Sequence, residues 1–308
     1  RPRARGDLYR VAIGPGEHGE IVHLDIKETA SGGMGPHGLC IGATGSGKSE
    51  FLRTIVLGLI ATHSSSMLNF VLVDFKGGAT FNGFDPAPHV SANISNLEGD
   101  GSLIDRMQDA LAGEMNRRQE ILNKAGAKNV WDYRKMGEAG DERCQEPLPA
   151  LFVVIDEFSE LLSQQPDFAE LFVMIGRLGR SLQVHLLLAS QRLEEGKLRG
   201  LDSHLSYRIG LKTFNAAESR AAIGVPDAAD LPSTGGHGYL KHPNGMERFR
   251  AAFVSGHLHQ TSGRRPALKG AAAPVTGDKM PRLFVPDYIE KPKEPEQPVE
   301  EVKEEKKS

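Results

Sequence analysis

Gly42-Ala43-Thr44-Gly45-Ser46-Gly47-Lys48-Ser49 fits the pattern G-x-x-x-x-G-K-[ST], and its reading decides the fold. Glycines let a backbone curl around an oxyanion with no Cβ in the way. The amides of such a loop surround a nucleotide's phosphates. Lys48 is placed to reach the β- and γ-phosphates, and the Ser49 hydroxyl to ligate Mg²⁺. With 35 glycines in 308 residues, a glycine-rich surface turn is the competing reading. The flanks decide against it. His37 to Ile41 read as a short apolar strand, and Phe51, Leu52, Ile55, Val56, Leu59 and Ile60 follow at helical spacing. That helix aims its free amides and positive dipole end at the same anion. The expected ATP-binding set is Gly42, Ala43, Thr44, Gly45, Ser46, Gly47, Lys48, Ser49 and Glu50.

Leu151-Phe152-Val153-Val154-Ile155-Asp156-Glu157-Phe158 is the second strong signal. A buried parallel strand would carry Asp156 to the sheet edge, where it can help Ser49 hold Mg²⁺. Glu157 would be the base or orienter for an attacking water. Alone, an apolar strand ending in Asp-Glu also admits reading as a helix N-cap. Downstream of a phosphate loop, the catalytic reading is favoured. Val184 to Ala189 form another buried strand, ending in Ser190-Gln191-Arg192. Gln191 could bond the γ-phosphate or the lytic water if its strand lies beside the phosphate-loop strand. His185 reads as a packing residue. The expected catalytic set is therefore Glu157, Lys48 and Gln191.

Leu8–Ile13 and Glu20–Ile26 read as an N-terminal hairpin, and Asn69–Asp74 as a buried strand ending in Asp74-Phe75-Lys76-Gly77-Gly78. Leu103, Met107, Leu111 and Met115 predict an amphipathic helix over 103–124. Residues 125–148 read as an irregular connection anchored by Trp131 and Tyr133. A helix over about 168–181, a strand at Tyr207–Leu211 and a short helix at Ala216–Ile223 follow. A closing hairpin is expected from Gly238–Lys241 and Phe249–Val254. Pro, Glu and Lys dominate 286–308, where no core can form. The expected division is 1–36 for the N-terminal strands and lead-in, 37–262 for the ATPase domain, and 263–308 for a charged linker or tail.

At 39% hydrophobic and 25% charged residues, the composition suits a globular core. The net charge of −3 argues against a surface that is basic overall, and so against nucleic acid as a partner. Cys40 and Cys144 offer neither metal-ligand spacing nor a disulfide framework, and Cys40 reads as a small buried hydrophobe. No run approaches the ~20 apolar residues that span a bilayer. No signal peptide is read, and a chain starting at Arg1 is expected to be a piece of a longer polypeptide.

The phosphate loop, Asp74 to Gly78, Asp156-Glu157-Phe158 and Ala189-Ser190-Gln191-Arg192 together resemble the FtsK/SpoIIIE branch of RecA-like P-loop NTPases. Closer still, residues 31–38 (SGGMGPHG), 74–81 (DFKGGATF), 176–181 (GRLGRS) and 198–208 (LRGLDSHLSYR) resemble the EccC family of type VII (ESX) secretion ATPases, most of all its first ATPase domain. The resemblance implies an additional-strand catalytic-glutamate α/β fold: a mostly parallel sheet with the Gln191 strand between the phosphate-loop and Asp156 strands. It further implies ATP hydrolysis with Mg²⁺ that powers protein export, with small helical secreted proteins as cargo. The implied parent is membrane-anchored at the cytoplasmic face of a bacterial membrane. Its partners would be further ATPase domains of the same chain and other membrane components of the machinery, in a homo-hexamer. A DNA translocase is the alternative. An arginine acting on a neighbour's site is expected among Arg208, Arg220, Arg177 and Arg180.

Overall fold

The computed structural model describes residues 8–77, 80–95, 101–193, 196 and 198–256. The start of the expected 1–36 lead-in and the tail at 263–308 lie outside these.

Strands β1 (Arg10–Pro15) and β2 (Ile21–Asp25) pair antiparallel, as the expected N-terminal hairpin. The first strand starts two residues later than expected. The register shifts at Gly14, where a Cβ would fall 1.9 Å from the Arg250 carbonyl oxygen. Only glycine lets the hairpin lie this close to the end of the main sheet.

The main sheet comprises β3 (His37–Ile41), β4 (Leu68–Asp74), β5 (Val90–Ser95), β6 (Ala150–Asp156), β7 (Val184–Ser190), β8 (Tyr207–Leu211), β9 (His237–His242) and β10 (Gly245–Arg250). Their spatial order is β10-β9-β8-β3-β7-β6-β4-β5. From β8 to β5 the strands are parallel, and β9 and β10 are antiparallel. Every residue of β3, β6 and β7 is buried, as parallel strands covered on both faces require.

The helices are α1 (Lys48–Thr62), α2 (Gly101–Ala125), α3 (Val130–Glu138), α4 (Phe158–Gln164), α5 (Phe168–Leu182) and α6 (Ala216–Ile223). Alternation along β3 sorts them into two layers. Cys40 joins Phe51, Ile55 and Leu59 of α1, with Val11 and Leu24 of the hairpin. Leu39 and Ile41 point the other way, into a cluster with Met107 and Leu111 of α2, Phe172 of α5 and Ile223 of α6. Burying each large side chain here contributes roughly 2 kcal/mol. α1 is thereby fixed between sheet and hairpin, with its N-terminus at the C-terminal edge of β3.

Four details differ from the sequence reading. Residues 130–138 are helical rather than irregular, because Asn129 caps α3 through a 2.8 Å bond from the Asp132 amide to its side-chain oxygen. Tyr133 is nonetheless a buried anchor, and Trp131 packs on the α1 layer. β5 is an unexpected, polar edge strand, and α4 an unexpected short helix directly after β6. The closing hairpin turns at Pro243-Asn244, within the expected His242–Gly245 turn, but its second strand runs from Gly245 to Arg250 rather than from Phe249 to Val254.

Candidate active site

β7 lies between β3 and β6, and its register sets Ser190 opposite Ile41 and Ala189 opposite Asp156. The C-terminal ends of three parallel strands therefore deliver the phosphate loop, Gln191 and the two carboxylates to one edge, where open α/β sheets bind ligands.

The loop is tied to both neighbours of its strand. The Gly42 amide donates to the Ser190 carbonyl at 3.2 Å and the Ala43 amide to the Lys212 carbonyl at 2.8 Å. Gly45 and Gly47 both have positive φ, 81° and 88°. A Cβ at Gly47 would fall 2.7 Å from the Gly236 amide nitrogen, so glycine is needed twice over there. α1 begins at Lys48 with no side chain capping it, which leaves the amides of Lys48, Ser49 and Glu50 without intrahelical acceptors. A curled, uncapped helix entrance with the Ser49 hydroxyl exposed fits a phosphate chain and its divalent ion.

Opposite it stands a buried acidic group. The Lys48 ammonium contacts Asp156 Oδ1 and lies 2.8 Å from Glu157 Oε1. Thr80 Oγ1 donates to Asp156 Oδ2 at 3.1 Å, and the Thr80 amide donates to Asp74 Oδ2 at 3.3 Å. Glu157 holds a left-handed backbone, φ 62° and ψ 41°, an uncommon conformation for a non-glycine residue. Its side chain does not cap α4, so the helix-cap alternative fails. Gln191 bridges to the loop, accepting from Thr44 Oγ1 at 2.7 Å, and also bonds Glu157.

The electrostatics couple the three groups tightly. Burial pulls the Lys48 ammonium down, but Asp156 and Glu157 outweigh it and hold the amine above its ordinary value. Burial likewise raises Glu157, yet Lys48 and the Lys48 and Gln191 hydrogen bonds bring it below the ordinary carboxylate value. Asp156 is raised, by burial first and by the neighbouring Glu157 and Asp74 charges, against the pull of Lys48. One ammonium thus faces two carboxylates, with Asp74 joined to them through Thr80.

The other expected residues fall as follows. Glu50 accepts the amides of Val254 at 2.5 Å and Ser255 at 2.7 Å, and the Ser255 hydroxyl at 2.6 Å, so its carboxylate serves the chain leaving the sheet. Arg208 is bound to Asp202 at 2.6 Å and Arg180 to Glu28 at 3.0 Å, while Arg177 and Arg220 are exposed. Cys40 is buried, and burial pushes its thiol up to about 12. His185 packs against Tyr9 and Phe152. Thr80 escaped the sequence reading, although it sits inside the 74–81 stretch that resembles EccC.

Residues 3–195 match a model of the FtsK/SpoIIIE family. This chain belongs to the FtsK/SpoIIIE family. Among curated proteins, this FtsK/SpoIIIE chain is 59% identical over 308 residues to the ESX secretion system protein EccC of Thermomonospora curvata, an alignment spanning 98% of this chain and 23% of that protein. The chain thus spans about a quarter of the length of that relative. Among solved structures, the cytoplasmic domain of the type VII secretion ATPase EccC from Thermomonospora curvata superposes with a TM-score of 0.82 at 64% identity, covering 85% of this chain and 30% of that one. ATPases 2 and 3 of the same EccC, solved with a signal sequence peptide, give a TM-score of 0.65 at 22% identity, covering 79% of this chain and 42% of that one, a likeness of fold alone. Among the described residues, no helix is long and apolar enough to cross a membrane.

Proposed function

We propose that this FtsK/SpoIIIE domain hydrolyses ATP as the first ATPase module of a type VII secretion motor, coupling turnover to protein export. The observation that carries the chemistry is the buried Lys48 ammonium shared between Asp156 and Glu157 beside an uncapped phosphate loop. The setting rests on the EccC likeness. Identity to the EccC cytoplasmic domain is 64%, against 22% to its ATPases 2 and 3, which favours the remaining, first module.

Ser49 Oγ and Asp156 would hold Mg²⁺, whose chemistry is to neutralise and align the phosphate oxygens. The amides of the loop bind the phosphate chain. Lys48 then exchanges its carboxylate contacts for phosphate oxygens, which releases Glu157 to accept a proton from the attacking water. Gln191, tied to Thr44, orients that water. Arg220 or Arg177 of a neighbouring protomer supplies the remaining positive charge, because both are exposed.

The parent assembly is a hexamer at the cytoplasmic face of the membrane. It contains further ATPase domains and the membrane components of the machinery, and small helical secreted proteins are its cargo. The test is ATP turnover as a function of protein concentration, with duplex DNA added in a parallel series. Turnover that rises with concentration and ignores DNA supports the reading. Salt-sensitive stimulation by DNA would move it to a translocase.

A further inference from the structure

Phe253 is the most exposed large apolar side chain among the described residues, at 73%, yet the backbone on either side of it is fixed. Upstream, the Ala251 amide donates to the Gly236 carbonyl at 2.7 Å and the Ala252 amide to the Ile13 carbonyl at 3.0 Å. The Ala252 carbonyl accepts from Thr54 Oγ1 of α1 at 2.9 Å. Downstream, the amides of Val254 and Ser255 donate to the Glu50 carboxylate. Folding has thus held an aromatic ring in water on a rigid mount, against the usual preference for burying it.

The position of that mount is informative. Glu50 and Thr54 belong to the first turns of α1, directly after the phosphate loop. Lys48 reaches toward the acidic strand end, which marks the β- and γ-phosphate side of the loop. The α-phosphate, and with it the nucleoside, must leave on the other side. The Gly236 amide donates to the Ser46 carbonyl of the loop at 2.8 Å, and Ala251, bonded to Gly236, leads directly into the segment pinned to Glu50. A Cβ at residue 256 would fall 3.0 Å from Phe253 Cε1, so glycine there keeps a side chain from crowding the ring.

We infer that Phe253 is the surface on which the nucleobase stacks, with Glu50 as the positioning residue that holds it in place. This rests on the nucleotide reading of the phosphate loop. A pre-positioned ring needs no ordering when the base arrives, and stacking tolerates any base because every base has a π-face.

The experiment compares equilibrium binding of Mg²⁺-ATP and of Mg²⁺-tripolyphosphate, which lacks a base. Phe253→Ala is expected to weaken ATP binding about 5- to 100-fold and leave tripolyphosphate unchanged. Unchanged ATP affinity, or an equal loss for both ligands, overturns the assignment. Lys48→Ala is the control: it should weaken both ligands, and if it weakens neither, the nucleotide reading itself falls. Phe253→Trp should restore ATP affinity and place an indole against the base. Its emission, after subtraction of Trp131 in the parent protein, should change with ATP and not with tripolyphosphate. An emission indifferent to bound ATP also overturns the assignment.

Discussion

Lys48 Nζ lies 2.8 Å from Oε1 of Glu157, a residue 109 positions away that is held in a left-handed backbone at the end of the acidic strand. A general base cannot work while it neutralises an ammonium, because the pairing that depresses its pKa removes its appetite for a proton. On the proposed reading the contact is the resting arrangement, and bound phosphate would draw Lys48 away from Glu157.

Glu157→Gln keeps the shape of the side chain and its bond from Lys48 while removing the carboxylate proposed as the base. Turnover should fall about 10²- to 10⁴-fold, the usual range for a lost acid–base group. ATP affinity should hold or rise, since the amide competes less well than a carboxylate for the ammonium. Single-turnover rates beside equilibrium nucleotide titration check both halves. Equal turnover in variant and parent would remove Glu157 from the mechanism.

Lys48→Ala leaves buried Asp156 and Glu157 without their cation. Breaking one side of a buried pair costs about 3–5 kcal/mol. The nucleotide-free variant should therefore be less stable than the parent by about that amount in urea, besides losing affinity for ATP. A variant with weakened binding and unchanged stability would show that the lysine does not neutralise the carboxylates in the resting protein.

Thr80→Val removes the hydroxyl that donates to Asp156 Oδ2 and keeps the volume. Asp156 then loses one of the contacts that orient it. The Mg²⁺ concentration for half-maximal turnover should rise about 10-fold, the lower end for loss of a hydrogen bond that orients a metal ligand. Turnover at saturating Mg²⁺ should be little changed. A Mg²⁺ titration of turnover decides it.

The phosphate loop and Asp156-Glu157 were legible because their chemistry is written in consecutive residues. Spacing also located β3, β6 and β7, whose continuous apolar runs are what parallel strands buried on both faces require. β5 was invisible for the converse reason: Val90–Ser95 is a half-exposed edge strand with polar residues and no clear period. α3 depends on one capping bond at Asn129 amid charge and glycine. Thr80 could not be tied to Asp156 across 76 residues, since side-chain contacts at that separation leave no pattern in the sequence. Glu50 follows the loop directly in sequence, but each helical residue turns about 100° from the last. The third residue of α1 consequently faces the chain at 254–255 rather than the loop.

Two buried histidines set the acid limit of the fold. Burial, and to a lesser extent His185 and His204, lower His37 from 6.5 to about 3, and burial lowers His185 to about 3. Among the described residues neither ring nitrogen of His37 has a hydrogen-bond partner, so a charge there would be uncompensated. Between about pH 3 and 6.5 the unfolded chain binds two protons that the native protein refuses. Stability is thus complete above pH 6.5 and lost as the pH falls, at about 1.4 kcal/mol per pH unit for each histidine. From pH 7.5 to 5 the pair should cost about 4 kcal/mol. His185→Leu, in a pocket already lined by Tyr9 and Phe152, should halve that slope while changing little at pH 7.5. Urea unfolding at pH 7.5, 6 and 5 measures it, and a slope unaltered by the substitution would mean that His185 is already protonated in the native fold.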